Sequence, residues 1–203
     1  WASAAPAATL FYAGDLSGVN LSEENFGPGS VLPRHFERLH LNSDSVVTGI
    51  YGHHFIGPTT TVRVEWDIRT GMSEGNGGTV LASSSDSIAT VTPTGRIHPV
   101  TQSAEVKLGV AGLAVALGPG DFWVSLRPIN TDASISGTTG VNGIGSTVGD
   151  HMSILHGSFF SANYHVQPFD WSYGVEGYAV PEPASILALS GLAGLLVRRQ
   201  RNA

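Results

Sequence analysis

Eight histidines are the first candidates for chemistry in this chain, because imidazole binds metal ions and transfers protons near neutral pH. Metal sites on strands often place their ligands two residues apart, and helical zinc sites use the H-E-x-x-H spacing. Neither spacing occurs, and only His151 and His156, five residues apart beside Asp150, come near a ligand cluster. The sequence therefore predicts no metal site and no cofactor. The eight are His35, His40, His53, His54, His98, His151, His156 and His165.

Two carboxylates, Glu65 and Asp67, share one face of a predicted strand, so they could approach each other as the acid pair of a glycoside hydrolase does. On an alternating strand, however, they are more simply the charged face that contacts water. The chain also lacks a G-x-S-x-G nucleophile motif and a phosphate-binding glycine loop followed by a helix. The sequence therefore predicts a protein that is not an enzyme, with a carbohydrate-binding or carbohydrate-active module as the alternative.

Aromatic side chains offer a second route to carbohydrate, because sugar rings stack on aromatic faces. Trp123 is the leading candidate for a glycan contact, since it lies opposite Phe122 and Val124 on its predicted strand. Two positions remain open for its ring: it faces outward as a stacking platform, or it fills a second core layer.

The charge balance bears on the choice of partner. The formal net charge is −6, from 10 Lys and Arg against 16 Asp and Glu. Three of those cations and one acid lie in residues 181–203, so the preceding 180 residues are more acidic than the whole. Such a surface repels phosphate backbones, which excludes nucleic acid as the expected partner. The absence of cysteine also excludes disulfides and thiolate metal sites.

The elements that position these side chains are predicted to be strands. In residues 61–69 the apolar Val62, Val64, Trp66 and Ile68 alternate with charged residues, which is typical of a half-buried strand with one wet face. Residues 105–117 and 121–127 repeat the pattern around Gly118-Pro119-Gly120, and we predict that they form a hairpin. Weaker strand candidates are residues 10–12, 36–41, 46–55, 79–82, 88–92, 153–160 and 174–180.

Many short strands separated by turn residues indicate an all-β fold, an antiparallel β-sandwich of jelly-roll-like or Ig-like type. Residues 17–33 and 130–150 are small or polar and are predicted to be long loops. We divide the chain into residues 1–8, the end of a signal peptide or a disordered N-terminus, a β-sandwich over 9–180, and a C-terminal signal over 181–203.

The C-terminal segment is the most specific feature of the sequence. Pro181 and Pro183, which bracket Glu182, keep the chain extended before a predicted short hydrophobic helix. Residues 186–197 are largely apolar but fall short of the ~20 residues that a permanent transmembrane helix needs. Its apolar side chains are Ile186, Leu187, Leu189, Leu192, Leu195, Leu196 and Val197, and the cytoplasmic stop behind them is Arg198, Arg199 and Arg201.

These three parts, in this order, resemble the PEP-CTERM sorting signal. The resemblance covers Val180 to Ala203 and implies that exosortase, a membrane protease-transpeptidase of Gram-negative bacteria, recognises Pro181-Glu182-Pro183 after export. It further implies transient anchoring in the inner membrane, then a place at the cell surface or in the extracellular matrix of a biofilm. The expected function is a structural or binding protein of that matrix, with exopolysaccharide as a further partner.

Overall fold

The computed structural model describes residues 7–15, 21–22, 34–56, 62–97, 102, 104–129, 138–142, 152–158 and 161–181. All regular structure in these residues is β-strand, and every pairing between their strands is antiparallel. The predicted all-β antiparallel class is therefore confirmed. The predicted C-terminal helix over residues 186–197 lies outside the described residues.

The described ranges contain thirteen strands. They are β1 (Ala8–Tyr12), β2 (Leu21–Ser22), β3 (Arg34–Leu41), β4 (Ser45–Ile56), β5 (Val62–Thr70), β6 (Thr79–Ile97), β7 (Ala104–Leu117), β8 (Gly120–Ile129), β9 (Thr138–Asn142), β10 (Ser153–Ser158), β11 (Ser161–Gln167), β12 (Asp170–Trp171) and β13 (Tyr173–Ala179).

The strands form one curled sheet in the order β1-β13-β4-β7-β6-β5-β8-β3-β10-β11, and β9 joins β2, β4 and β12 beside this path. Strand β6 links two halves of the sheet. Its first part, up to Ala89, pairs with β5, and its second part, from Thr90, pairs with β7. We call the half built from β1, β13, β4 and β7 the first half, and the half built from β5, β8, β3, β10 and β11 the second half.

The predicted hairpin between residues 105–117 and 121–127 is wrong, although both segments are strands. Strand β7 pairs with β4 and β6, whereas β8 pairs with β3 and β5. The turn after Leu117 therefore carries the chain from the first half to the second. The β3–β4 connection crosses beside it, since Leu41 pairs with Gly120 and Ser45 pairs with Leu117.

One apolar cluster fills the inside of the curl and draws on both halves. Val47, Ile50 and Leu108 come from the first half, and Ile68 and Leu126 come from the second. All five are almost inaccessible to water, so their burial stabilises the approach of the two halves. The hydroxyl of Tyr173 on β13 also donates to the backbone oxygen of Leu126 on β8 at 3.0 Å.

Strand β5 confirms the predicted inward face, because Val62, Val64, Trp66 and Ile68 are all buried. The outward face differs from the prediction of exposed charges. Arg63 is exposed and Glu65 is half-buried, but Asp67 is buried. The reason is that arginines and a second apolar cluster cover this part of the outward face.

Other departures come from long-range pairing. The candidates at 79–82 and 88–92 are parts of the single strand β6. Short strands β2 and β9 lie within the segments predicted to be long loops, and they pair with each other. Strands β11 and β12 have no counterpart among the predicted elements.

Candidate functional site

One backbone hydrogen bond holds the chain just after the last described strand, β13. Val180 N donates to Asp44 O at 2.7 Å, and the next residue, Pro181, is exposed. Glu182, Pro183, the apolar segment and the three terminal arginines lie outside the described residues. In the part of the chain that the structure describes, no helix has the length and apolar character to cross a membrane.

Trp123 fills a second core layer, which is the second of the two positions left open for its ring. Its side chain is only 7 % exposed and packs with Phe36, Met72 and Ile154 in a small cluster on the outward face of β8. This burial supports the core-layer position, and contact of the ring with a glycan stays a prediction.

The two carboxylates of β5 are both engaged by arginines. Glu65 forms an ion pair with Arg127, and Asp67 forms ion pairs with Arg34 and Arg69. Each acid is therefore part of a charge network on the sheet face.

Two histidines lie deep inside the curl. His35 and His54 are buried, and burial, the main cause, lowers the pKa of His35 well below its usual value and that of His54 to about 3. Both rings are therefore neutral at physiological pH. Among the described residues, no group of three or more His, Asp or Glu side chains is placed to hold a metal ion. Asp150 and His151 lie outside those residues.

A groove on the outward face of the first half is a candidate binding site. It encloses about 270 Å³, near the lower end of small-molecule pockets, which hold roughly 300–1,000 Å³. We call it the Tyr51 groove. Its lining comes from Ile50, Tyr51, Thr90, Thr92, Lys107, Gly109, Val110, Ala111 and Glu176.

Glycines create the groove. Tyr51 pairs in register with Gly174 on one side and Gly109 on the other. A Cβ at Gly174 would lie 2.2 Å from Tyr51 Cζ, so the ring lies over that glycine. At Gly109 the nearest atom to such a Cβ would be 3.7 Å away. The floor is therefore open on the Gly109 side, between the tyrosine and Thr90.

Opposite charges line the groove and balance each other. Lys107 Nζ lies 3.4 Å from Glu176 Oε1 and 3.6 Å from the centroid of the Tyr51 ring. The ammonium thus covers the face of the ring, a cation–π contact. Burial, the largest cause, and the nearby Glu176 carboxylate raise the pKa of Tyr51, so its phenol stays protonated. The groove therefore offers hydroxyl, ammonium and carboxylate groups around a glycine floor.

An aromatic cluster supports one end of the groove. The rings of Tyr12, Tyr51 and His53 lie with centroids about 6 Å apart. His53 Nδ1 lies 2.8 Å from Ser172 Oγ, and the Ser172 hydroxyl donates to Gly14 O. Because that hydroxyl's proton is committed to Gly14, His53 Nδ1 is the donor to Ser172. This bond fixes the imidazole and, through it, the packing of Tyr51.

Sequence reasoning missed this site because its residues come from four strands. The sequence shows Ile50-Tyr51-Gly52 on one predicted strand, and Gly109 and Gly174 on two others. The register between strands, which brings these residues together, cannot be deduced from any one segment. No protein-family model, curated protein or solved structure matches this chain.

Proposed function

We propose that this protein is an exported, non-enzymatic component of the cell surface or extracellular matrix, and that its β domain binds a neutral glycan in the Tyr51 groove. The observation that supports this binding site is the Tyr51 groove itself. It lies over Gly109 on an open sheet face, threonine hydroxyls line it, and its charges balance. The lysine–glutamate pair cancels its own charge, so the groove favours no ionic ligand.

The chemistry of the groove suits sugar hydroxyls. Thr90 and Thr92 both donate and accept hydrogen bonds, Lys107 donates, and Glu176 accepts. Since the ammonium covers the Tyr51 ring, recognition rests on hydrogen bonds and on the ring edge. The glycine floor lets a flat sugar ring approach the backbone closely.

We further propose that the curled sheet functions as a β-sandwich, with the two halves as its layers. The shared core, the crossing turns at Leu117 and Leu41, and the Tyr173 hydrogen bond to Leu126 support this architecture. It leaves the outward face of each layer available for a partner.

Filling the groove should abolish glycan binding without unfolding the protein. In Gly109→Val, the new side chain enters the open floor, and we expect affinity for a neutral glycan found by array screening to fall at least about tenfold. Binding is measured by calorimetry, and thermal melting reports the fold. The matched control is Ala114→Val, an exposed position on the same strand outside the groove, which should bind as the wild type does. Equal losses in both variants, or no neutral glycan bound at all, would contradict the groove proposal.

The sorting proposal has a separate test. The apolar run of twelve residues spans only about 18 Å as a helix, against a hydrocarbon core of ~30 Å, so it anchors the precursor weakly while the extended prolines are presented to exosortase. Replacing Pro181, Glu182 and Pro183 with alanine should leave an uncut, membrane-bound precursor in a host that has the enzyme. Replacing Arg198, Arg199 and Arg201 should impair retention and orientation instead.

C-terminal mass spectrometry of surface protein gives the readout. We expect the wild type to lack Arg201-Asn202-Ala203 and the alanine variant to retain them. Surface-exposed wild-type protein that keeps these residues in that host would refute sorting by exosortase.

A further inference from the structure

The cationic side chains of the β domain are concentrated on one sheet face. Seven arginines and lysines precede residue 181, and five of them lie on β3, β5 and β8 of the second half. They are Arg34, Arg38, Arg63, Arg69 and Arg127. Acids of the same face offset several of these charges, since Glu65 pairs with Arg127 and Asp86 pairs with Arg63, so any surplus charge lies at individual arginines.

Two of these arginines converge on a single carboxylate oxygen. Arg34 Nη1 lies 3.2 Å and Arg69 Nε 2.8 Å from Asp67 Oδ2. The arrangement is held from several sides, since Arg34 Nε also donates to Ser125 Oγ at 3.1 Å and Arg69 Nη1 donates to Gly77 O at 3.0 Å. We call Arg34, Asp67 and Arg69 the arginine cluster.

The arginine cluster carries one more positive charge than negative. Among the described residues, Asp67 is the only acid that forms an ion pair with Arg34 or Arg69. Desolvation, the largest cause, lowers the pKa of Arg34, but the guanidinium remains charged. Both arginine side chains keep 15 % of their surface exposed, so an anion can reach them from solvent. Because water reaches these guanidinium groups only in part, an anion that binds to them stabilises the surplus positive charge.

Ring systems lie directly beside the cluster. Arg69 Nη1 donates to the hydroxyl of Tyr164 at 3.2 Å, and the ring of Tyr164 stacks on His156 with centroids 4.2 Å apart. Both rings are half-buried, so part of each contacts solvent. The site thus combines a fork of guanidinium donors with an adjacent flat ring pair.

We propose that the arginine cluster, with Tyr164 and His156, binds a uronic-acid residue of an acidic polysaccharide. Guanidinium groups bind carboxylates through paired, charge-assisted hydrogen bonds, and the ring pair packs against the attached sugar ring. The inference goes beyond the proposed glycan groove, because it assigns a second, negatively charged ligand to the other half of the sheet. A nucleic acid is the other polyanion that guanidinium groups bind, and the test below distinguishes it from an acidic polysaccharide.

The test compares ligands that differ only in charge. Wild-type protein is titrated with oligogalacturonate and with its methyl ester, which keeps the sugar rings but removes the negative charge. We expect the free acid to bind about tenfold or more tightly than the ester and to weaken as salt is raised. Equal binding of acid and ester would overturn the proposal. So would equally tight binding of a single-stranded DNA oligomer or of inorganic phosphate, which would indicate a general anion site.

Substitutions in the arginine cluster test whether oligogalacturonate binds there. Arg34→Lys and Arg69→Lys keep the charge but remove the guanidinium fork, and each should weaken oligogalacturonate about tenfold. Arg96→Lys, on the second part of β6 and away from the arginine cluster, is the matched control and should bind as the wild type does. If the lysine variants do not fold, the acid–ester comparison on wild-type protein still decides the proposal. Gly109→Val should leave oligogalacturonate binding intact, so failure of the groove proposal and failure of this one are distinguishable.

Discussion

Acidification from about pH 7.5 to about pH 5.5 should reduce the free energy of unfolding by about 3 kcal/mol. The cause is the buried pair His35 and His54, whose pKa values burial lowers, that of His54 to about 3. Both rings stay neutral in the folded protein, whereas both bind protons in the unfolded chain below its pKa of about 6.5. The unfolded state therefore gains protons as the pH falls through 6.5, and each histidine contributes about 1.4 kcal/mol over this pH range.

Urea unfolding at matched ionic strength across this pH range measures the effect. In His54→Gln we expect the pH dependence to fall by about 1.4 kcal/mol over this range, because one histidine that binds a proton only in the unfolded chain is gone. His40→Gln, at an exposed position beside Asp121, is the matched control for the loss of an imidazole. A wild-type stability that stays flat between these pH values would contradict neutral, buried histidines.

Local periodicity predicted the strands and the inward face of β5, because alternation records which side of a strand meets the core. Val62, Val64, Trp66 and Ile68 are buried for this reason. The same rule failed for Asp67, whose side chain the alternation predicted to be exposed to solvent. Its burial depends on Arg34 from a strand that begins 28 residues earlier, and alternation within β5 carries no information about such a partner.

The hairpin error and the missed groove share one physical cause. A turn such as Gly118-Pro119-Gly120 can either fold two strands together or carry the chain to another layer, and the local residues permit both. Here Leu117 pairs with Ser45 and Gly120 pairs with Leu41, so the turn carries the chain from the first half of the sheet to the second. Register across distant strands likewise places Gly109 beside Tyr51, so the groove could not be read from any single segment.

Gly52→Ala should destabilise the protein by about 3 kcal/mol, because the added methyl group has no space. A Cβ at this position would lie 2.4 Å from Cδ1 of Tyr173 and 3.0 Å from Nε2 of His54. The tyrosine ring cannot move aside readily, since it is buried in the shared core and its hydroxyl is bonded to Leu126 O. Chemical denaturation measures the loss.

Gly109→Ala is the matched control for this change, because Gly109 also pairs with a tyrosine across the strands. There the nearest atom to the new Cβ is 3.7 Å away, so we expect stability to change by less than about 0.5 kcal/mol. A double-mutant cycle with Tyr173→Val then identifies the clash itself. If the ring is what opposes the methyl group, Gly52→Ala should cost far less in the Tyr173→Val background than in the wild type. Additive losses would show that the Tyr173 ring is not what opposes the methyl group.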